Sequence, residues 1–263
     1  MSTTSPAANS RGRALPLHLL LCLLSIAMIG PFVWMVLTSF KTLPEVAGEH
    51  WIPRDWQWSN YREVFDVIPF TRFIWNSLLI AGWVTFLQVL TSAMAAFSFA
   101  RLRWPHRDRI FFLYLGTMML PGLVMLIPNY QIMVHFGLVD SYLGLVLPAA
   151  FSAFGTFLLR QFMLSIPSAL DEAAAIDGAM PWQIFWQFTF MGNYHSFFWP
   201  LVMIKSVEKY TLPVGLLFFD SSYGQATNLL MAAVTMSVVP LIIVFALLQR
   251  HLISGIQVGA VKG

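Results

Sequence analysis

Six stretches of the chain carry no Asp, Glu, Lys or Arg: Leu15–Phe40, Phe73–Ala100, Ile110–Val139, Ser141–Leu159, Gly178–Ile204 and Ser221–Gln249. They run 26, 28, 30, 19, 27 and 29 residues. A helix needs about 20 residues to cross hydrocarbon at ~1.5 Å rise per residue. The pattern predicts an all-α fold, a polytopic transmembrane helical bundle of six spans. Ser141–Leu159 is minimal. Gly178–Ile204 is long enough by count but poor in quality, since its apolar part, Phe188–Ile204, has only 17 residues and includes Gly192, Asn193, His195 and Pro200. The fifth span therefore reads as truncated. Pro31, Gly82, Pro121, Gly122, Pro148 and Pro240 also fall inside spans, where packed neighbours can satisfy the freed backbone groups. The strict alternation of β-barrel strands is absent.

Composition agrees with this reading. Apolar residues make up 58% of the 263 and charged residues 10%, against about 45–50% and about 25% in soluble domains. So little charge cannot solvate a globular surface of this size, which excludes a soluble enzyme and a disordered regulator. The net charge of +3 is a membrane protein's modest basic excess and not a nucleic-acid footprint. The single cysteine, Cys22, allows neither a disulfide framework nor a cysteine metal cluster.

Basic residues near span ends set the orientation. Connections counted alternately from the N-terminus hold nine Lys and Arg in one group and six in the other. The densest cluster, RLRWPHRDR at 101–109, belongs to the larger group, so both termini are expected in the cytoplasm. The expected organisation is a cytoplasmic tail at 1–14, a membrane domain at 15–250 with a cytoplasmic loop at 161–187, and a cytoplasmic tail at 251–263. The first apolar run is too long for a secretory h-region and lacks a small-x-small site, so it reads as an uncleaved span. The outward segment 41–72 is rich in Trp (Trp51, Trp56, Trp58) and reads either as an interfacial belt or as a docking surface for an external partner.

Several chemistries are missing. No phosphate-cradling GxxxxGK[ST] occurs, nor HExxH or GxSxG. The six His are scattered without ligand spacing. No span holds a carboxylate, so a proton- or sodium-coupled relay lacks its usual buried acid.

The informative segment is RQFMLSIPSALDEAAAIDGAMPWQIFWQ at 160–187. Ser168 is placed to cap a short helix, with Asp171 and Glu172 in its favourable first turn. Ala173, Ala174 and Ala175 propagate the helix, Gly178 permits a turn, and Met180-Pro181 restarts it. A small Ala-rich helix with apolar anchors at Leu170 and Ile176 suits a partner's groove.

"DEAAAIDGA" resembles the EAA loop of ABC-importer permease subunits: Glu172, Ala173 and Ala174, then Gly178. Other segments resemble the carbohydrate-importer, maltose-permease type: "NSLLIA" (76–81), "AFSFARLRWPHRD" (96–108), "LIPNYQIM" (126–133), "LVDSYLGLVLP" (138–148), "GTFLLRQFM" (155–163), "FTFMGNYHSFFWPL" (188–201) and "LLQRHLISGIQVGAVKG" (247–263). The resemblance runs in order over nearly the whole chain. It implies the ABC type I importer permease fold in a bacterial or archaeal cytoplasmic (inner) membrane. It implies a non-enzymatic subunit that needs no cofactor of its own, ATP being bound by partners. Those partners are a second homologous permease, two ATP-binding subunits, an extracytoplasmic solute-binding protein and a sugar. The implied ATPase-coupling loop is Asp171, Glu172, Ala173, Ala174, Ile176, Asp177 and Gly178. Candidate substrate-path residues are Asn193, Tyr194, His195 and Trp199, which offer amide, hydroxyl, imidazole and indole groups to a sugar. Each also has a plain packing role, as a bond between helices or an interfacial ring.

The chain departs from the family after the EAA loop. "FWQ" at 185–187 runs straight into "FTFMGN" at 188–193, where the family carries a further turn and apolar half-span. This reads as an internal deletion of about one short helix. Its rival implication is a transport-defective or scaffold-type permease homologue.

Overall fold

The computed structural model describes residues 8–48, 50–165, 181–217, 219 and 226–260. All regular structure among them is helical. The chain divides into two compact units, one made of Met1–Val67 with Phe218–Met236 and the other of Ile68–Leu217 with Ser237–Gly263.

The first unit holds α1 (Ala8–Ser39), α2 (Leu43–Val46), α3 (Ser59–Val67) and the opening turns of α12 (Thr227–Ala260). Its organising residue is Phe40, whose ring lies 5.2, 4.6 and 5.1 Å from Trp56, Trp58 and Tyr61. The end of α1 leaves carbonyls without helical partners. Asn60 supplies them: its buried amide donates to Ser39 O at 2.8 Å and Lys41 O at 2.9 Å. Asn228 of α12 donates in turn to Asn60 Oδ1 at 3.4 Å. Trp56 and Trp58 are thus exposed on one face and packed on Phe40 by the other, while Trp51 is exposed.

The second unit is built on α4 (Phe70–Arg101), against which α7 (Tyr142–Ala149), α8 (Ala153–Ser165), α9 (Pro181–Tyr194) and α11 (Leu212–Gly215) pack. It also holds α5 (Arg107–Gly116), α6 (Leu126–His135), α10 (Phe198–Met203) and the later turns of α12. The main core gathers Ile80, Val84, Met133, Leu145, Val146, Met203 and Ile204. Gly144 is required where α7 crosses the preceding turn, because a Cβ there would lie 2.2 Å from Leu138 O.

Among the described residues, three helices are long and apolar enough to cross a membrane: Leu17–Ser39, Phe70–Arg101 and Thr227–Leu247. A fourth crossing is available if Tyr142–Ala149 and Ala153–Leu164, bent by 43°, act as one. Pro31 and Pro240 sit within continuous helices, as the sequence reading allowed. Two other expected spans are not single helices. Ile110–Val139 divides into α5, a 3-10 turn at Thr117–Met119 and α6, with Pro121-Gly122 in the gap. Phe188–Ile204 divides into the end of α9 and α10, with His195–Phe197 between.

The bend after Pro148 shows how such a break is tolerated. Side chains of α4 donate to the carbonyls it frees: Gln88 to Ala149 at 2.5 Å and Thr91 to Ala150 at 2.8 Å; Ser92 adds a bond of 3.3 Å to Ser152 O, which already accepts from Thr156 N. Backbone groups with no water at hand must find such partners.

Candidate substrate groove and coupling segment

The break between α9 and α10 is where candidate chemistry gathers. α9 ends as Ser196 N donates to Asn193 O, and α10 restarts as Leu201 N donates to Phe197 O. An open groove of about 580 Å³ lies beside the break, lined by Asn129 of α6, Ala149 of α7, and Ser196 to Trp199. Trp199 donates from Nε1 to Gly144 O at 3.1 Å, which fixes the indole. The Asn129 amide and the Ser196 hydroxyl have no protein partner among the described residues. A much smaller cavity of about 20 Å³ adjoins it, shared by Asn193, Ser196, Trp199 and Thr211. The buried Thr211 hydroxyl there has no protein partner among the described residues, and the space suits a single water.

The four candidate path residues therefore separate. Trp199 lines both cavities and Asn193 the smaller one, where its amide also bonds back to Thr189 O at 2.8 Å. Tyr194 is buried in helix packing: its hydroxyl donates to Ser237 O at 3.3 Å, and its ring stacks on Phe190 at 6.2 Å. His195 is exposed, sits edge-on to Tyr194 at 5.7 Å, and is not among the groove's lining residues. Sequence reading missed Asn129 and Ser196. The signal for Asn129 was an amide inside a charge-free run, since a polar group at membrane depth seeks a partner. Nothing local marked Ser196.

The coupling-loop residues Asp171, Glu172, Ala173, Ala174, Ile176, Asp177 and Gly178 lie outside the described residues, as do the expected cap Ser168 and the anchor Leu170. On the far side, α9 begins at Pro181, the residue expected to restart a helix. On the near side, α8 carries Arg160, whose side chain is 11% exposed. Arg160 donates to Phe99 O at 3.2 Å and to Asp108 at 2.9 Å, with its guanidinium 4.1 Å above the Phe111 ring. It thus joins α4, α5 and α8 just ahead of the coupling segment.

Comparison with known proteins decides the family. The arabinooligosaccharides transport system permease protein AraQ of Bacillus subtilis (strain 168) is 30% identical over 267 aligned positions, covering 94% of this chain and 95% of that protein. The chain belongs to the sugar ABC-transport permease family. The sn-glycerol-3-phosphate transport system permease protein UgpE of Brucella abortus (strain 2308) is 30% identical, covering 91% of this chain and 94% of its own. The diacetylchitobiose uptake system permease protein NgcG of Streptomyces coelicolor is 29% identical over 276 positions, covering 97% and 91%. No protein-family model matches the chain. The fold matches a chain of a bacterial ABC transporter that imports the acidic polysaccharide alginate, with a TM-score of 0.78 over 94% of this chain and 99% of that one, at 22% identity. As a family member the chain is a membrane permease component that works with ATPase subunits and a solute-binding protein.

Proposed function

We propose that this permease is one of a pair of homologous membrane subunits that carry a sugar delivered by an external binding protein. The reading places six spans in the cytoplasmic membrane, both termini inside, and ATP on two partner subunits. Their closure is transmitted through Asp171–Gly178, and the permease pair alternates between outward- and inward-facing states, each favoured by its own contacts.

The groove at the α9–α10 break carries the substrate side of this reading. A fixed indole, an unpartnered amide and an unpartnered hydroxyl are what a sugar needs: an apolar face to stack on and groups that exchange hydrogen bonds. The described lining holds no Lys, Arg, Asp or Glu, which favours an uncharged sugar over a phosphate ester or uronate. Trp199→Ala tests it. Uptake of the neutral sugar is expected to fall at least tenfold with membrane abundance unchanged. Unchanged uptake sinks the assignment.

The coupling side rests on family membership and on the residues at 171–178. Gly178→Asp is expected to abolish co-purification with the ATPase and sugar uptake. An intact complex with normal uptake would remove the loop from the mechanism.

The lengths of the alignments support the shortening. Taking 94% of 263 residues gives about 247 against 267 aligned positions with AraQ, and 97% gives about 255 against 276 with NgcG. In each case about 20 positions of the relative have no counterpart here. We place the gap at Gln187–Phe188, where sequence segments separate in the family run together. Among the described residues nothing favours the scaffold reading, and uptake in a strain lacking the native gene distinguishes it from a working permease.

A further inference from the structure

We propose that the corner between α4 and α5 is a binding site for the phosphate headgroup of an anionic phospholipid. An open cleft of about 510 Å³ lies there, lined by Arg103, Trp104, His106, Arg107, Asp108 and Arg109. Four of these six residues are basic types, and one is acidic. Asp108 is already engaged twice, by Arg107 Nε at 3.3 Å and Arg160 at 2.9 Å. Neither Arg103 nor Arg109 has a carboxylate within ion-pair distance among the described residues.

The local backbone adds to the imbalance. Arg107 and Arg109 sit in the first turn of α5, a helix of 10 residues. The N-terminus of a helix is its positive end, where cations are disfavoured and anions bind. Arg109, unpaired in that first turn, and Arg103, unpaired four residues ahead of the helix, leave the cleft electropositive.

Its position indicates which anion fills it. The cleft follows directly on Arg101, the last residue of a 32-residue helix apolar enough to cross a membrane. Trp104 is held in place by donation to Ser98 O at 3.3 Å and by contact with Phe99 at 5.6 Å, and indoles favour the headgroup level. A cationic cleft at that depth meets lipid phosphates first. The tendency of positive charge to collect on one side of a membrane accounts for the basic residues, but not for an open cleft flanked by a fixed indole.

The test uses the permease purified with its partner subunits from mixed micelles containing phosphatidylglycerol and phosphatidylcholine in equal amounts, with retained lipid measured by native mass spectrometry. Phosphatidylglycerol is expected to be enriched. Each arginine near an anionic surface is worth about fivefold in affinity, so R103Q/R109Q should lose roughly 25-fold. R103K/R109K, which preserves charge, should keep most of the enrichment and shows that the corner still folds. Wild-type enrichment in R103Q/R109Q overturns the proposal, as does equal loss in both variants. Displacement of the lipid by tens of millimolar inorganic phosphate would make this a small-anion site and also overturn it. If R103Q/R109Q instead releases the ATPase while lipid is retained, the patch is a protein contact and the lipid site is wrong. The sugar and coupling assignments are untouched by any of these results.

Discussion

Arg160→Met is the sharpest test of how the membrane helices are held next to the coupling segment. Met preserves most of the apolar stem and removes the guanidinium, so the loss is confined to three interactions. The hydrogen bond to Phe99 O, at 3.2 Å from a side chain 11% exposed, belongs to the charged-donor class worth about 1.5–3 kcal/mol. The pair with Asp108 is worth less despite its 2.9 Å separation, because Asp108 is 60% exposed; solvent screening holds it to roughly 0.2–1 kcal/mol. The contact with Phe111, at 4.1 Å, adds about 0.5–1 kcal/mol. All three share one group and do not add independently, so the expected loss is about 2–3 kcal/mol. The assay is reversible unfolding in mixed detergent micelles, followed by tryptophan fluorescence. Arg160→Lys should recover about half, because an ammonium cannot reproduce the planar fork. Asp108→Asn alone should cost under ~1 kcal/mol. A loss below ~0.5 kcal/mol in Arg160→Met, or an Asp108→Asn loss as large as that of Arg160→Met, would refute this division of the energy.

Gly215→Ala places a methyl 2.1 Å from Cδ2 of the fully buried Phe73 ring. It should cost about 1–3 kcal/mol or more by overpacking, partly restored by a second change, Phe73→Leu; an unchanged unfolding midpoint would refute the tight fit. Asp140 accepts from Lys205 N and Ser206 N, both at 3.0 Å, and from the Ser206 hydroxyl, with Lys209 Nζ at 3.2 Å. These donors, led by Ser206, hold its carboxyl below the ordinary carboxylate range. Its stabilisation is therefore complete above about pH 4 and is lost as pH falls through the lowered value. Asp140→Asn should be less stable than the parent at pH 7, with the gap closing in strong acid; a constant gap across pH would rule out the charge as its source. Inserting a family segment of about 15–20 residues between Gln187 and Phe188 should raise ATPase stimulation and uptake, because it restores the turn and apolar half-span that the family carries there. Equal activity with and without the insert would show that the shortened chain is sufficient.

The membrane character, the all-helical class and the family were legible in the sequence for a local reason. Transfer of a charged side chain into hydrocarbon is so costly that charge-free runs such as Phe73–Ala100 mark apolar helices without knowledge of their neighbours. The motif around Glu172–Gly178 is likewise contiguous and can be read in one dimension. Helix continuity is not local. Pro240 lies inside an unbroken helix, while the helix that contains Pro148 ends one residue later at Ala149. What makes the second break tolerable is Gln88 and Thr91, some 60 residues earlier on α4, which donate to the freed carbonyls of Ala149 and Ala150. The groove has the same origin. Asn129, Ser196 and Trp199 share no sequence motif, and Tyr194 and His195, adjacent to Ser196, do not line it. Side chains on consecutive residues of a helix end point in different directions, so only the packing of α6, α7 and α10 determines which of them face a common space.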